Sequence, residues 1–220
     1  MYRTPSIAIC VLALSALFIA GLMGCKRPAP LQFEVGFDVT PKDVEKRARQ
    51  ASQLANFVKK GDDFALRATD NKTSLISTVR PATDADAFRV LTSISGRIIP
   101  STDLAEYFET AADLIEKSGK PLVIIIYTDG LSDDGDPDGV AARVTAAARR
   151  LARARRLRAL IIAGTVRDVR PEWQGLPEML APVESKLFIL PMATLDPGDI
   201  HRLVKNVRAN VSSASQEGGN

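Results

Sequence analysis

The chain is 220 residues long, 45% hydrophobic and 25% charged, which suits one globular domain standing on its own core. A formal net charge of +3 is too small to imply a nucleic-acid partner. Aromatics at 5% leave few side chains on which single-stranded bases would stack.

The N-terminus reads as a processing signal. Arg3 gives a weakly basic start, Ser6 to Gly24 is nearly all apolar, and the stretch closes on Leu22-Met23-Gly24-Cys25. Small and apolar residues leading directly into a cysteine resemble the lipobox of bacterial lipoproteins, with Met23 the less usual residue of the motif. The resemblance implies a signal peptide over residues 1–24 and lipidation of Cys25 as the new first residue. An uncleaved anchor is the alternative, since the apolar run is just long enough to span a bilayer. Both readings put the domain beyond the inner membrane, tethered to a lipid surface. Lys26 stands where an aspartate tends to retain lipoproteins in the inner membrane, so the same resemblance implies the outer membrane of a bacterial cell envelope. Cys10 is lost with the signal, which leaves no cysteine for a disulfide. The tether, residues 25–31, contains two prolines, and Lys26 to Pro30 reaches on the order of 15 Å.

Strand and helix patterns then alternate over residues 32–211. Phe33 to Val39 reads as a strand, and Pro41 to Lys60 as a helix with Val44, Ala48, Ala51, Leu54, Ala55 and Val58 on one stripe. Phe64–Ala68 and Ser74–Val79 read as short strands joined by a turn at Asp70-Asn71. Helices are predicted over Asp84 to Ser93 and from Thr102 to about Lys117. Pro121 to Tyr127 is an unbroken apolar run that suits a central parallel strand covered on both faces. A long helix over Val140 to Leu157 and a strand at Ala159–Ala163 follow. A helix near Glu178, a strand at Lys186–Leu190 and a last helix from Pro197 complete the pattern. Residues 212–220 read as a disordered polar tail. The fold class is therefore α/β: a doubly wound, mostly parallel sheet with helices on both faces and one short antiparallel edge strand. In such sheets ligands bind outside the carboxyl ends of the strands.

Asp38-Val39-Thr40, Ser101-Thr102-Asp103 and Thr128-Asp129-Gly130 all map to that edge, where their oxygens suit a hard divalent cation. Together they resemble the metal-ion-dependent adhesion site of von Willebrand factor type A domains. That site combines Asp-x-Ser-x-Ser after the first strand, a threonine at a helix start and an aspartate in a strand-terminal Thr-Asp-Gly. Phe37-Asp38-Val39-Thr40, Ser101-Thr102-Asp103-Leu104 and Ile126-Tyr127-Thr128-Asp129-Gly130 carry the match. The resemblance spans residues 32 to 208. It implies Asp38, Thr40, Thr102 and Asp129 as ligands of Mg2+ or Mn2+, and a protein partner whose acidic side chain completes the coordination. The family's second serine is Lys42 here, and a protonated lysine ligates no metal. Either Lys42 points to solvent beside a reduced ligand set, or its ammonium takes the place of the cation. Thr40 and Thr102 also suit helix caps, which would explain them without a metal.

The acidic loop Asp133 to Asp138 fits no EF-hand, and Asp136 suits a cap for the helix beginning at Pro137. Arg149, Arg150, Arg153 and Arg156 share the outer face of the long helix, as a solvated surface or as a contact for anionic lipid or polymer. His201 and Trp173 read as surface and packing residues. The chain has no phosphate-binding glycine loop, Gly-x-Ser-x-Gly, His-Glu-x-x-His or Cys-x-x-Cys. The sequence thus points to a membrane-anchored binding module rather than an enzyme. A metal-independent scaffold and, behind it, a metal-dependent hydrolase are the alternatives.

Overall fold

Six successive apolar residues, Leu122–Tyr127, are all buried, and a strand covered on both faces has no reason to alternate. The computed structural model describes residues 30–38, 58–69, 73–77, 103–128, 136–165, 175–191 and 197–217. Its strands are β1 (Gln32–Asp38), β2 (Asp63–Thr69), β3 (Thr73–Ser77), β4 (Leu122–Tyr127), β5 (Leu157–Thr165) and β6 (Leu187–Pro191). They form one six-stranded sheet in the order β3-β2-β1-β4-β5-β6. All neighbours are parallel except β2 and β3, which pair antiparallel at the edge. The helices are α1 (Leu104–Lys117), α2 (Pro137–Arg153), the short α3 (Leu176–Met179) with a 3-10 turn over Ala181–Lys186, and α4 (Pro197–Glu217).

Strand side chains alternate between faces, so each parallel strand feeds two cores. On one face Phe33, Val35, Phe37, Val123, Ile125, Tyr127, Ala159 and Ile161 meet Ile200, Val204, Val207 and Val211 of α4. On the other, Leu122, Ile124, Ile126, Leu157, Leu160 and Ile162 lie under α1 and α2. Each fully buried aliphatic or phenylalanine side chain contributes about 1.5–3 kcal/mol, so this two-sided burial dominates stability.

Element ends differ from the sequence expectation for local reasons. The segment Val58–Gly61 is not helical, although the first helix was expected to reach Lys60. Asp62 accepts from the Lys59 amide at 2.7 Å, and Gly61 takes φ +97°, a left-handed turn that favours glycine. The expected helix from Thr102 begins at Leu104, because Asp103 is its cap. Helix α2 spans Pro137–Arg153 rather than Val140 to Leu157. Arg156 lies in a turn whose carbonyl accepts from Leu122 N at 2.8 Å, which draws the chain back into the sheet. Helix α4 continues to Glu217, past the expected start of the polar tail at Ser212. The expected helix at Asp84 to Ser93, most of Pro41 to Lys60, the signal, the tether up to Ala29, and Trp173 lie outside the described residues, while Leu31, expected in the tether, is wholly buried in the core.

The amino edge of the sheet is pinned by a buried ion pair. Asp62 accepts two bonds from the Arg208 guanidinium, at 3.0 and 2.7 Å, and one from Leu31 N at 2.9 Å. The pair ties α4 to the start of β1 and to the turn before β2.

Candidate metal and ligand site at the carboxyl edge

From β1 the chain steps outward to β2 and β3, then returns to β4 on the other side of β1. The strand order reverses between β1 and β4, and loops leaving such a switch point diverge and open a crevice. Phe37 and Tyr127 are register partners, so Asp38 and Thr128 leave the sheet side by side. The Phe37 and Tyr127 rings stack, centroids 4.7 Å apart and 7° from parallel. Thr128 is wholly buried, and its N–H donates to the Ala163 carbonyl at 3.0 Å, fixing the end of β4 against β5.

Two helices begin at this same edge. Asp103 Oδ1 accepts from Glu106 N at 2.9 Å, capping α1, and Asp136 Oδ1 accepts from Gly139 N at 3.0 Å, capping α2. The Asp136 cap is the role the acidic loop suggested. Asp103 does more than cap. Its Oδ2 accepts from Arg143 Nη1 at 3.0 Å, while Arg143 also donates to Glu109 at 3.0 and 2.7 Å. Glu109 first, and Asp103 after it, raise the Arg143 pKa further above its ordinary range, and burial only partly opposes them. The guanidinium therefore fastens the start of α1, the residue after Thr102, to α2.

Of the expected ligands, Asp38 closes β1 at the switch point. Thr40, Lys42, Thr102, Asp129 and the lipidation candidate Cys25 lie outside the described residues. Among the described residues no cluster of three or more His, Cys, Asp or Glu is placed to hold a metal. The donor types are nonetheless those of a hard-cation site, since the three segments offer carboxylate and hydroxyl oxygens only.

The arginine face needs correction. Arg149 and Arg153 are exposed on α2, but Arg150 donates to Asp113 at 2.6 Å and to Glu116 at 2.9 Å. It belongs to the α1–α2 seam, and Arg156 is not on the helix at all. The missed signal was periodic: Arg143 and Arg150 are two turns apart on α2, opposite Glu109, Asp113 and Glu116 at matching spacing on α1. His201 is exposed on α4, as expected.

Tyr127, the last residue of β4, carries an anomaly. Its hydroxyl is buried without a hydrogen-bond partner among the described residues, and burial pushes the phenol above its ordinary pKa. An unsatisfied buried group costs about 1–3 kcal/mol, so Tyr127→Phe is expected to stabilise the domain by about 1 kcal/mol. A calorimetric midpoint raised by roughly 2–4 °C is the readout. A lowered midpoint would show that the hydroxyl is bonded in solution.

No protein-family model and no curated protein sequence matches the chain. Solved structures match it in shape. A von Willebrand factor type A protein from Catenulispora acidiphila superposes with TM-score 0.56 at 14% identity, over 84% of this chain and 42% of its own. The manganese-loaded TRAP protein of Plasmodium vivax gives 0.56 at 14% identity, over 82% and 74%. The fold is that of a von Willebrand factor type A domain. BatB, a conserved hypothetical protein from Bacteroides thetaiotaomicron, matches at TM-score 0.55 and 16% identity, over 80% of this chain and 98% of its own. This chain thus spans less than half of the first structure and nearly all of BatB. The ends of β1 and β4 and the cap of α1, which adjoin the three motif segments in sequence, share one edge of this sheet.

Proposed function

We propose that this protein is a lipid-anchored cell-envelope binding module that grips an acidic group of a protein partner at the carboxyl edge of its sheet. One observation carries the reading: the register places the end of β1, with Asp38, beside the end of β4, which leads into Thr128-Asp129-Gly130. Asp38, Thr40, Thr102 and Asp129 would hold Mg2+ or Mn2+. The cation would supply an open coordination position for the partner's carboxylate. Arg143, by fixing Asp103, limits how far the Thr102 segment can drift from the crevice. The absence of a nucleophile motif and of any histidine but His201 favours binding over catalysis. Cys25 would carry the lipid, with the domain held by the amino edge and the crevice turned away from the membrane.

Titration calorimetry of the purified protein with Mn2+ and Mg2+ tests the site, with Asp38→Ala and Asp129→Ala beside wild type. Wild type is expected to bind one cation, and each variant to lose binding by at least about tenfold, or 1.4 kcal/mol. A wild type that binds neither metal would sink the cation. It would leave the metal-independent scaffold that Lys42 favours, with a lysine where the family's second serine stands.

A further inference from the structure

We propose that the amino edge of the sheet is a docking surface for anionic lipid headgroups, one that seats the domain upright on the membrane holding Cys25. The proposal rests on the lipid-anchor reading and adds a second, electrostatic attachment to it.

Three turns meet at this edge. Gln32 N donates to Pro121 O at 2.9 Å, Asp63 N to Leu31 O at 2.9 Å and Leu122 N to Arg156 O at 2.8 Å. Lys120 bridges two of the turns, with Nζ 2.7 Å from Asp63 and 3.3 Å from the Gly61 carbonyl. Around them Lys59, Lys60, Lys117, Arg153, Arg155 and Arg156 are exposed, and none has a carboxylate partner among the described residues. Of the acids nearby, Asp63 is matched to Lys120, the buried Asp62 to Arg208 and Glu116 to Arg150, while Glu184, exposed in the 3-10 turn before β6, lies two residues from Lys186.

Helix-dipole complementation accounts for Lys117 and Arg153, which sit in the last turns of α1 and α2. It does not account for Lys59, Lys60, Arg155 and Arg156, which lie in turns. Among the described residues the opposite edge carries Asp38, Asp103, Asp136 and Asp138, with Arg143 bonded to Asp103. A strand of six residues spans roughly 20 Å, more than the Debye length of about 8 Å in physiological salt, so a charged surface at the basic edge does not feel the acidic one.

The position of the chain outside the described residues names the occupant. Strand β1 starts at this edge, and Cys25 lies only a few residues earlier, followed directly by Lys26 and Arg27. A lipidated Cys25 holds the basic edge against a bilayer, where each nearby cation strengthens attachment to anionic lipid roughly fivefold. A cavity of about 350 Å³ also opens here, but Glu34 and Asp63 among its walls repel phosphate. Headgroups therefore meet the exposed turns rather than the cavity. The outcome is an orientation: basic edge down, crevice outward.

Hydrogen–deuterium exchange of the full chain tests this in phosphatidylcholine vesicles with and without phosphatidylglycerol. Peptides over 59–63, 117–121 and 153–157 are expected to exchange several-fold more slowly with phosphatidylglycerol present, and those over 136–140 equally in both. The difference should vanish in about 0.5 M salt and in the triple variant Arg153→Glu, Arg155→Glu, Arg156→Glu, while Lys205→Glu on α4 leaves it intact. Equal exchange in the two lipids, or protection that survives the triple variant, overturns the proposal. Intact mass of the same samples reads acylation at Cys25 separately, so failure of the anchor and failure of the docking edge give different results.

Discussion

Arg208→Met is expected to destabilise the domain by about 3–5 kcal/mol, a large fraction of the 5–15 kcal/mol typical of a folded domain. The side chains of Arg208 and Asp62 are 6% and 1% exposed, and among the described residues the two guanidinium bonds are the only charge compensation of that carboxylate. Asp62 also accepts from Leu31 and Lys59 amides, so the carboxylate is held in place after the arginine is gone. The variant therefore buries an uncompensated charge instead of merely losing a bond. Methionine keeps most of the volume beside Phe33, whose ring lies 5.9 Å from the guanidinium carbon. Urea unfolding at neutral pH reads the loss, and a cost below about 1 kcal/mol would show that the pair is not intact in solution. Asp62→Asn on the Arg208→Met background should cost less than the two changes summed, by about 0.5–3 kcal/mol.

The same pair sets a pH dependence. Burial pushes the Asp62 carboxyl up, but the Arg208 hydrogen bonds and the two amides together outweigh it and hold the group below its ordinary 3.8. A folded pKa below the unfolded one means that the pair's contribution is complete above about pH 4 and is lost as pH falls through the folded value. In Arg208→Met burial acts with only the amides opposing it, so protonation relieves the stranded charge. The penalty of the variant, measured as the difference in unfolding free energy from wild type, should therefore be smaller at pH 4 than at pH 7.

Much of the frame could be read from the sequence because burial on two faces writes itself as unbroken apolar runs. Leu122–Tyr127 and the apolar stretch of β5 were legible for that reason, and the Asp70-Asn71 turn gave the antiparallel edge. What escaped was long-range or competitive. Asp62 and Arg208 are 146 positions apart, and nothing local marks either as buried. Thr102 and Asp103 are both good caps by residue type, and the bond from Glu106 N to Asp103 Oδ1 shows that Asp103 closes α1. Arg150 looked like part of a free cationic face until α1 supplied its carboxylates. The candidate site was legible as motif segments on one edge, since strand ends fix where such segments emerge. Coordination of Asp38, Thr40, Thr102 and Asp129 depends on loop side chains whose placement no periodicity encodes.

Gly36→Ala sets two effects of opposite sign against each other. Glycine inside a strand is weaker than alanine by roughly 0.5–1 kcal/mol, so propensity alone predicts a gain. Packing predicts the reverse. A Cβ at Gly36 would lie 2.3 Å from Tyr107 Cε2, 2.6 Å from Cζ and 2.9 Å from the hydroxyl oxygen. Tyr107 is fully buried, edge-on to Phe108 with centroids 5.9 Å apart, and its hydroxyl donates to the Ile125 carbonyl at 3.4 Å. The ring has no free space to enter, so α1 must lift from the sheet, at a cost of about 2–3 kcal/mol that outweighs the propensity gain. This contact sits two residues before Asp38 on β1 and five after Thr102 at the start of α1. Lifting α1 therefore moves two proposed ligand segments apart. Gly36→Ala should lower both the urea midpoint and Mn2+ affinity, and Tyr107→Leu on that background should recover part of each by shortening the opposing side chain. Unchanged stability in Gly36→Ala would mean that the seam yields without cost. Recovered stability without recovered affinity would mean that the spacing of β1 and α1 does not set the site.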